Sequence, residues 1–276
     1  MFCKISVWYC HFIPFYIESN KLDEVKTVKE KRFGPLKLNK IDEGWVVVSC
    51  NPEASTAHVP AKIGDEPVVA IGDHAFSGCG ILREVTFDST EAFVEADAFG
   101  FQIREYAFEN CISLLRISLP WIVTSVHRGA FYGCSMLGKV EMPDCYVGPY
   151  AFCGCERLVK IPELTYISEG VFSHCEALST FPVKNGCHTI DEDAFYHCYG
   201  LVDITIPASV VRIEPLAFRS CYNLRRVTFE CPDGWRAKNR YMSGEARLDL
   251  SDPIKNAERL SKMDFDDGVS GWFRQE

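Results

Sequence analysis

Cysteine is the residue type in this sequence with the greatest capacity for chemistry. The 276-residue chain contains 14 cysteines, and a thiolate can act as a nucleophile, form a disulfide or bind zinc. Zinc-binding cysteines usually occur as Cys-x-x-Cys pairs, and the chain has none. The cysteines nearest to each other in the sequence are Cys153 and Cys155, separated by one residue. Seven cysteines, here called the phased cysteines, each stand three residues after a phenylalanine: Cys79, Cys111, Cys134, Cys155, Cys175, Cys198 and Cys221.

The surroundings of the phased cysteines predict a structural role for their thiols. An aliphatic residue precedes each phenylalanine by five positions and a leucine follows it by six, as in Ile103, Phe108 and Leu114. Each cysteine therefore lies between residues expected to point inward, and buried structural cysteines are inert. Many cysteines without a pairing pattern favour a reducing or anaerobic setting, which slightly favours the cytoplasm over the cell surface or secretion.

Two histidines precede successive phased cysteines at equivalent positions. His174 and His197 should lie within several ångströms of each other when neighbouring coils stack, and such a pair could hold a metal ion or a proton. Because no carboxylate or third ligand recurs with them, we interpret them as polar turn residues. The sequence also lacks a phosphate-binding loop, a nucleophile elbow and a His-Glu-x-x-His helix. It predicts no catalytic residue, no metal and no cofactor; an enzyme site would have to form near Phe99 or in the terminal caps.

The elements that must position these side chains are short repeated coils. From Phe108 onward the phenylalanines of the repeats stand 23, 21, 20, 23 and 23 residues apart, a period typical of leucine-rich repeats. Alternating apolar residues follow each leucine, as in Ile117-Ser118-Leu119, which predicts a short strand with one face buried. One coil cannot bury its apolar side alone, so neighbouring coils must stack. We therefore predict a right-handed, β-rich leucine-rich-repeat solenoid with a parallel sheet on one face and short strands or irregular arcs on the other.

The limits of the repeats predict the domain organisation. Residues 1–40 form a leader of uncertain order, 41–70 an N-terminal β cap, 71–229 the solenoid, and 230–276 a C-terminal cap and tail. The solenoid has about seven repeats and one degenerate unit at 88–102, where the spacing from Phe76 to Phe108 is 32. Asp252 before Pro253 is typical of a helix start, so we expect a helix over about 253–262.

The repeat frame Ile-x-x-x-Ala-Phe-x-x-Cys-x-x-Leu-x-x-Ile-x-Ile-Pro resembles the BspA-like leucine-rich-repeat family of bacteria and some protists. The resemblance extends over roughly residues 44–262, with seven copies in phase. It implies a curved solenoid that binds other proteins or surfaces, often exported and sometimes adhesive. It implies no catalytic residue.

Outward strand positions are the candidate binding residues, because they are free of packing. Two residues after each phased leucine come Glu84, Arg116, Lys139, Lys160, Thr180, Asp203 and Arg226. Stacking would place Arg116, Lys139 and Lys160 in one short basic column on an otherwise acidic molecule. We predict a ligand face formed by Arg116, Lys139 and Lys160 with Glu84, Asp203 and Arg226, for an acidic protein or a glycan. The alternative is an ordinary solvated strand face.

Composition narrows the class of partner. The chain is 47% hydrophobic, which is ordinary for a globular protein, and its formal net charge of −9 disfavours nucleic acid as a partner. The apolar run at 5–13 is too short to span a membrane, so residues 1–20 are a degenerate signal, a disordered leader or the result of a mis-set start. Two functions follow: a non-enzymatic interaction module, or an intracellular scaffold that uses the same face for assembly.

Overall fold

The computed structural model describes residues 29–95, 100–239, 245–262 and 269–274. Most of the predicted leader, including residues 1–28 with Cys3 and Cys10, lies outside the described residues. So do residues 96–99 of the predicted degenerate unit.

Short strands dominate the described residues, with two helices. The strands before the first phased cysteine are β1 (Glu30–Phe33), β2 (Leu36–Ile41), β3 (Gly44–Cys50), β4 (Thr56–Val59), β5 (Lys62–Ile63) and β6 (Glu66–Ile71). The repeats contain β7 (Glu84–Phe87), α1 (Thr90–Glu95), β8 (Phe101–Ile103), β9 (Arg116–Ser118), β10 (Val123–Val126), β11 (Lys139–Glu141), β12 (Tyr146–Val147), β13 (Thr189–Ile190), β14 (Asp203–Ile206), β15 (Arg212–Ile213) and β16 (Arg226–Phe229). The C-terminal elements are β17 (Trp235–Asn239), β18 (Glu245–Arg247), α2 (Pro253–Ser261) and β19 (Val269–Arg274).

The coils stack so that two rows of parallel strands run along the molecule. The front row contains β4, β7, β9 and β11, paired in parallel, and later β14 with β16. Single bridges join Lys139 to Lys160 and Thr180 to Asp203 within this row. The back row contains β6, β8, β10 and β12, then β13 with β15. The predicted stacking of the repeats, with a parallel sheet on one face, is therefore present.

A third side of each coil is a tight arc around the phenylalanine. The residues two before and two after each repeat phenylalanine have positive φ in all seven coils; in one coil these are Gly129 and Gly133. Left-handed backbone favours glycine and tolerates asparagine and histidine. This explains why the position before the phased cysteine is glycine in three coils and asparagine or histidine in three others; Ser220 occupies it in the last coil.

A ladder of stacked phenylalanine rings fills the interior. The seven rings, from Phe76 to Phe218, have successive centroid distances of 4.7, 5.0, 5.3, 6.0, 5.6 and 5.1 Å. All seven side chains are fully buried, and the phased leucines around them are buried as well. The coils thus share one continuous core, as the repeat pattern requires.

Both ends of the stack depart from the repeat. On the N-terminal side β1 and β2 pair antiparallel and β2 adds to β3, so the sheet starts inside the segment predicted to be a leader. The reason is that Leu36 and Leu38 alternate with half-buried residues and are themselves buried. On the C-terminal side α2 packs against β16, with buried Leu260 on its inner face. Asp252 starts α2 by accepting hydrogen bonds from the N–H groups of Ile254 and Lys255.

Candidate recognition face

The front row carries all seven predicted outward residues. Arg116 is the register partner of both Glu84 and Lys139. Lys139 also bridges to Lys160, and Asp203 pairs with Arg226 and bridges to Thr180. Successive outward residues therefore lie side by side in a column along the stack.

Alternation within each strand explains why these side chains face solvent. Val85, Ile117 and Val140 point into the core and are at most 4% exposed. Side chains of successive residues in a strand point to opposite faces. The residue before each of these is therefore directed outward: the side chains of Arg116 and Lys139 are 73% and 65% exposed.

Acidic neighbours partly neutralise the basic column, which the sequence did not reveal. The Arg116 guanidinium lies 3.4 Å from a carboxylate oxygen of Glu84, and the Lys139 ammonium lies 2.6 Å from Glu141. The hydrogen bond from Lys139 lowers the pKa of the Glu141 carboxyl. Within the described residues Lys160 forms no ion pair with a carboxylate. The column is therefore a row of mixed charges in which Lys160 is the uncompensated cation.

The far end of the column is also a charge pair. Arg226 donates to both carboxylate oxygens of Asp203, at 3.0 and 3.2 Å. These bonds lower the pKa of Asp203. Since both side chains are exposed, the pair contributes little to stability and is available to a partner.

Two shallow grooves lie along the front row. The first, of about 490 Å³, is lined by Glu84, Thr86, Asp88, Arg116, Ser118 and Glu141 among others. The second, of about 640 Å³, lies beside Lys160, Thr180, Asp203 and Thr205. The first groove is mainly polar, whereas the lining of the second also includes Val159, Phe181, Pro182 and Ile204.

His58 on β4 adds a fixed polar group at the first groove. Its Nε2 lies 2.9 Å from Oδ1 of Asp88 and its Nδ1 lies 3.0 Å from the hydroxyl of Thr86. A carboxylate only accepts hydrogen bonds, so in the neutral ring Nε2 carries the proton and Nδ1 accepts from Thr86. The second oxygen of Asp88 accepts from the N–H of Ala61. This set could not be predicted from the sequence, because His58 and Thr86 meet only through the register of β4 with β7.

The phased cysteines are buried, and each thiol from the second coil onward has a hydrogen-bond acceptor. Cys111, Cys134, Cys155, Cys175, Cys198 and Cys221 donate from Sγ to the phenylalanine carbonyl of the preceding coil, at 3.0–3.3 Å. Burial raises the pKa of Cys221 to about 12 and likewise raises that of Cys198. The thiols thus stay protonated and link successive coils, a role beyond the packing that the sequence predicts.

The paired histidines stack as the repeat predicts. The ring centroids of His174 and His197 are 4.7 Å apart and the rings are 19° from parallel. Burial, followed by the charge of His174, lowers the pKa of His197. Within the described ranges no group of three or more His, Cys, Asp or Glu side chains could hold a metal ion.

Stacked coils with parallel strand rows, a repeat-derived interior and an exposed strand face define a leucine-rich-repeat protein. The fold is β-rich, with two helices in the described residues. The model of the BspA type leucine rich repeat region matches in 6 copies over residues 61–144 and 101–225. The chain belongs to the BspA-type leucine-rich-repeat family.

Solved structures of bacterial leucine-rich-repeat proteins are similar to this chain. A leucine-rich-repeat protein of T. pallidum is 23% identical, with a TM-score of 0.48, over 73% of this chain and 84% of its own. A leucine-rich cell surface protein of Faecalibacterium prausnitzii is 20% identical, with a TM-score of 0.49, over 82% of this chain and 62% of its own. A protein of Bacteroides ovatus is 23% identical, with a TM-score of 0.48, over 70% and 55%. No curated protein matches the chain.

Family membership sets the general class of function. Leucine-rich-repeat proteins of this kind generally mediate protein interactions or surface binding and are generally non-enzymatic. No helix in the part of the chain that the structure describes is long and apolar enough to cross a membrane.

Proposed function

We propose that this protein is a non-enzymatic recognition module whose front row binds a protein or a glycan. The observation that supports the proposal most directly is the uninterrupted column of exposed side chains, held in register by backbone pairing from Glu84 to Lys160. A rigid column of this kind presents many shallow contacts at fixed spacing, which is how solenoids bind extended surfaces. In this proposal the coils are right-handed, and the elements before residue 71 and after residue 229 act as caps.

Arg116, Lys139 and Lys160 are proposed to contact acidic groups of the partner, and Glu84, Asp203 and Arg226 to extend the contact area. Exposed ion pairs are worth only about 0–1 kcal/mol. A partner carboxylate can therefore replace Glu84 beside Arg116 or Glu141 beside Lys139 at little cost. The mixed signs favour a partner whose carboxylates lie in one short segment over a polyanion charged along its whole length, in keeping with the net charge of −9.

A capture experiment with a matched charge control tests the proposed face. The test variant carries Arg116→Glu, Lys139→Glu and Lys160→Glu. The control carries the same change of charge away from the front row, at Lys37, Lys62 and Lys262. Each purified protein is used to capture proteins from cell-surface and cytosolic extracts and is applied to a glycan array.

We expect to find ligands that the unaltered protein and the control both retain. The test variant should retain these ligands at least about tenfold less. Equal retention by all three proteins would contradict the proposed face. Loss of self-association in the test variant, measured by sedimentation velocity, would instead assign the face to assembly of a scaffold. Fractionation of intact cells, medium and cytosol would show whether the protein works in the cytoplasm, which the cysteines favour, or outside the cell.

A further inference from the structure

A slot one side chain wide lies at the edge of the front row, immediately before the basic column. Leu115, Gly138 and Val159 occupy the same position in three successive coils. The N–H of Gly138 donates to the carbonyl of Leu115 at 3.0 Å, and the N–H of Val159 donates to the carbonyl of Gly138 at 3.3 Å. These bonds fix the three residues side by side, with the glycine in the middle.

The walls of the slot are apolar and exposed. Leu115 and Val159 are 50% and 54% exposed. Two coil spacings separate them, roughly 10 Å, and Gly138 leaves the intervening side-chain volume empty. A Cβ placed on Gly138 would have only the carbonyl oxygens of Arg157 and Leu115 within 4 Å, at 3.5 and 3.9 Å. The slot is therefore open outward and has the width of one side chain.

Further aliphatic surface adjoins the slot on one side. Ile112 is 51% exposed and its side chain approaches Gly80, while the neighbouring Ile81 is 47% exposed. The carbonyl of Arg83 accepts from the N–H of Leu115 at 3.4 Å, so this coil lies directly against the slot. Clusters of exposed apolar side chains are typical of interaction sites, and Ile81 and Ile112 belong to the two coils that this bond joins.

Charged side chains of both signs surround the slot, and the cations outnumber the acids. Each of its three residues is followed directly by a member of the basic column, Arg116, Lys139 or Lys160. Exposed Arg157 comes two residues before Val159. The nearby acids Glu84 and Glu141 form exposed pairs with Arg116 and Lys139, and Glu156 is a further exposed acid in the same coil. Lys160, at the Val159 wall, forms no ion pair with a carboxylate within the described residues.

We propose that the slot receives one leucine-sized side chain from an acidic segment of a partner protein, with carboxylates beside that side chain pairing with Lys160 and Lys139. The inference rests on the proposed recognition function of the front row and narrows its partner. The charge around the slot selects carboxylates, and its aliphatic walls select an apolar side chain. A glycan supplies no aliphatic side chain for the slot, so the combination identifies a protein segment.

Peptide binding to the purified full-length chain tests the slot. The probe is a fluorescein-labelled acidic peptide, Gly-Asp-Glu-Asp-Leu-Asp-Glu-Asp-Gly, followed by fluorescence anisotropy. A second peptide replaces the leucine by glycine at the same charge. The Gly138→Leu variant fills the slot from within, and φ of Gly138 is not positive, so leucine is sterically allowed there. Thr124→Leu is the control, because Thr124 is an exposed residue of β10 in the back row, away from the slot.

We expect the unaltered protein to bind the leucine peptide about tenfold more tightly than the glycine peptide. Gly138→Leu should lose that preference, and Thr124→Leu should keep it. If Gly138→Leu does not fold by circular dichroism, Leu115→Ser with Val159→Ser removes the walls and should abolish the preference in the same way. Equal binding of the two peptides, or an unchanged preference in the variants that alter the slot, would overturn the inference. A ligand of the capture experiment that depends on Arg116, Lys139 and Lys160 but is indifferent to Gly138→Leu would overturn the slot while leaving the proposed function intact.

Discussion

Replacement of Cys198 tests whether the phased thiols act as hydrogen-bond donors or only fill space. Cys198 is fully buried, and its Sγ lies 3.1 Å from the carbonyl oxygen of Phe172 in the preceding coil. That oxygen also accepts from the N–H of Cys175 at 3.0 Å. Removal of the thiol therefore leaves the Phe172 carbonyl oxygen with one hydrogen-bond donor, the N–H of Cys175. Because the oxygen still has a partner, only part of the cost of burying it is added to the loss of stability.

The expected effect of Cys198→Ala on the free energy of unfolding is the sum of three small terms. Loss of a buried group about the size of a methylene costs about 0.8 kcal/mol. The void left by one sulfur, of roughly 25 Å³, adds about 0.6 kcal/mol. The weak S–H hydrogen bond adds about 0.5 kcal/mol. We expect Cys198→Ala to destabilise the protein by about 2 kcal/mol, as the sum of these terms.

Cys198→Ser separates the two roles of the thiol. A serine hydroxyl at this position retains a donor for the Phe172 carbonyl, so Cys198→Ser should be at least as stable as Cys198→Ala. If the thiol only fills space, the buried hydroxyl lacks a partner and serine should be less stable than alanine by about 1–3 kcal/mol.

Urea denaturation followed by circular dichroism measures these differences. Cys231→Ala serves as a control, because Cys231 is only partly buried and outside the ladder of phased thiols. The control should change the free energy of unfolding by less than about 0.5 kcal/mol. A serine variant that unfolds more than about 1 kcal/mol more readily than the alanine variant would refute the donor role.

Three further predictions concern pH, the arc and the C-terminal helix. Burial raises the pKa of the phased thiols from Cys134 to Cys221 above the ordinary 9.0. Because the unfolded chain releases these protons at lower pH than the folded chain, the free energy of unfolding should be unchanged below pH 9 and fall above it. The urea midpoint should therefore be lower at about pH 10 than at about pH 8. Gly129→Ala places a Cβ at positive φ and 2.3 Å from the Tyr106 ring, so it should lower stability by about 2 kcal/mol in thermal unfolding and be partly rescued by Tyr106→Ser; no loss would contradict the packing. Asn256 is fully buried and donates to the carbonyls of Val227 and Leu250, so Asn256→Leu should cost about 2–3 kcal/mol in urea denaturation; a change within about 0.5 kcal/mol would show that α2 is not held by these bonds.

The repeat spacing was sufficient to predict the stack of coils and the column of outward residues. Strand side chains alternate with a period of two, so the phased leucine fixes which later positions face inward and which face outward. The same periodicity predicts that His174 lies beside His197, and their rings are indeed stacked. The domain boundaries stay a prediction, although the first strand begins at Glu30, within the predicted leader.

The partners of individual side chains could not be predicted from the repeat spacing. The pairing of Arg116 with Glu84 depends on side-chain reach between residues of different coils, and the pairing of Lys139 with Glu141 depends on rotamer. The S–H bonds depend on where a carbonyl of the preceding coil lies relative to a thiol. The repeat period specifies the order of the coils, but it does not specify the rotamers and carbonyl positions that decide these contacts.

The sequence by itself determined the class of this protein, because each coil repeats apolar residues that it can bury only against its neighbours. Only the tertiary structure decided which charges are neutralised, that His58 joins Thr86 and Asp88, and that Gly138 opens a slot between Leu115 and Val159. Apart from the Lys139–Glu141 pair, each of these features joins residues of different coils, whose relative placement is set by backbone hydrogen bonds across the stack. Hydrophobic periodicity acts within a coil, whereas the proposed recognition face arises between coils.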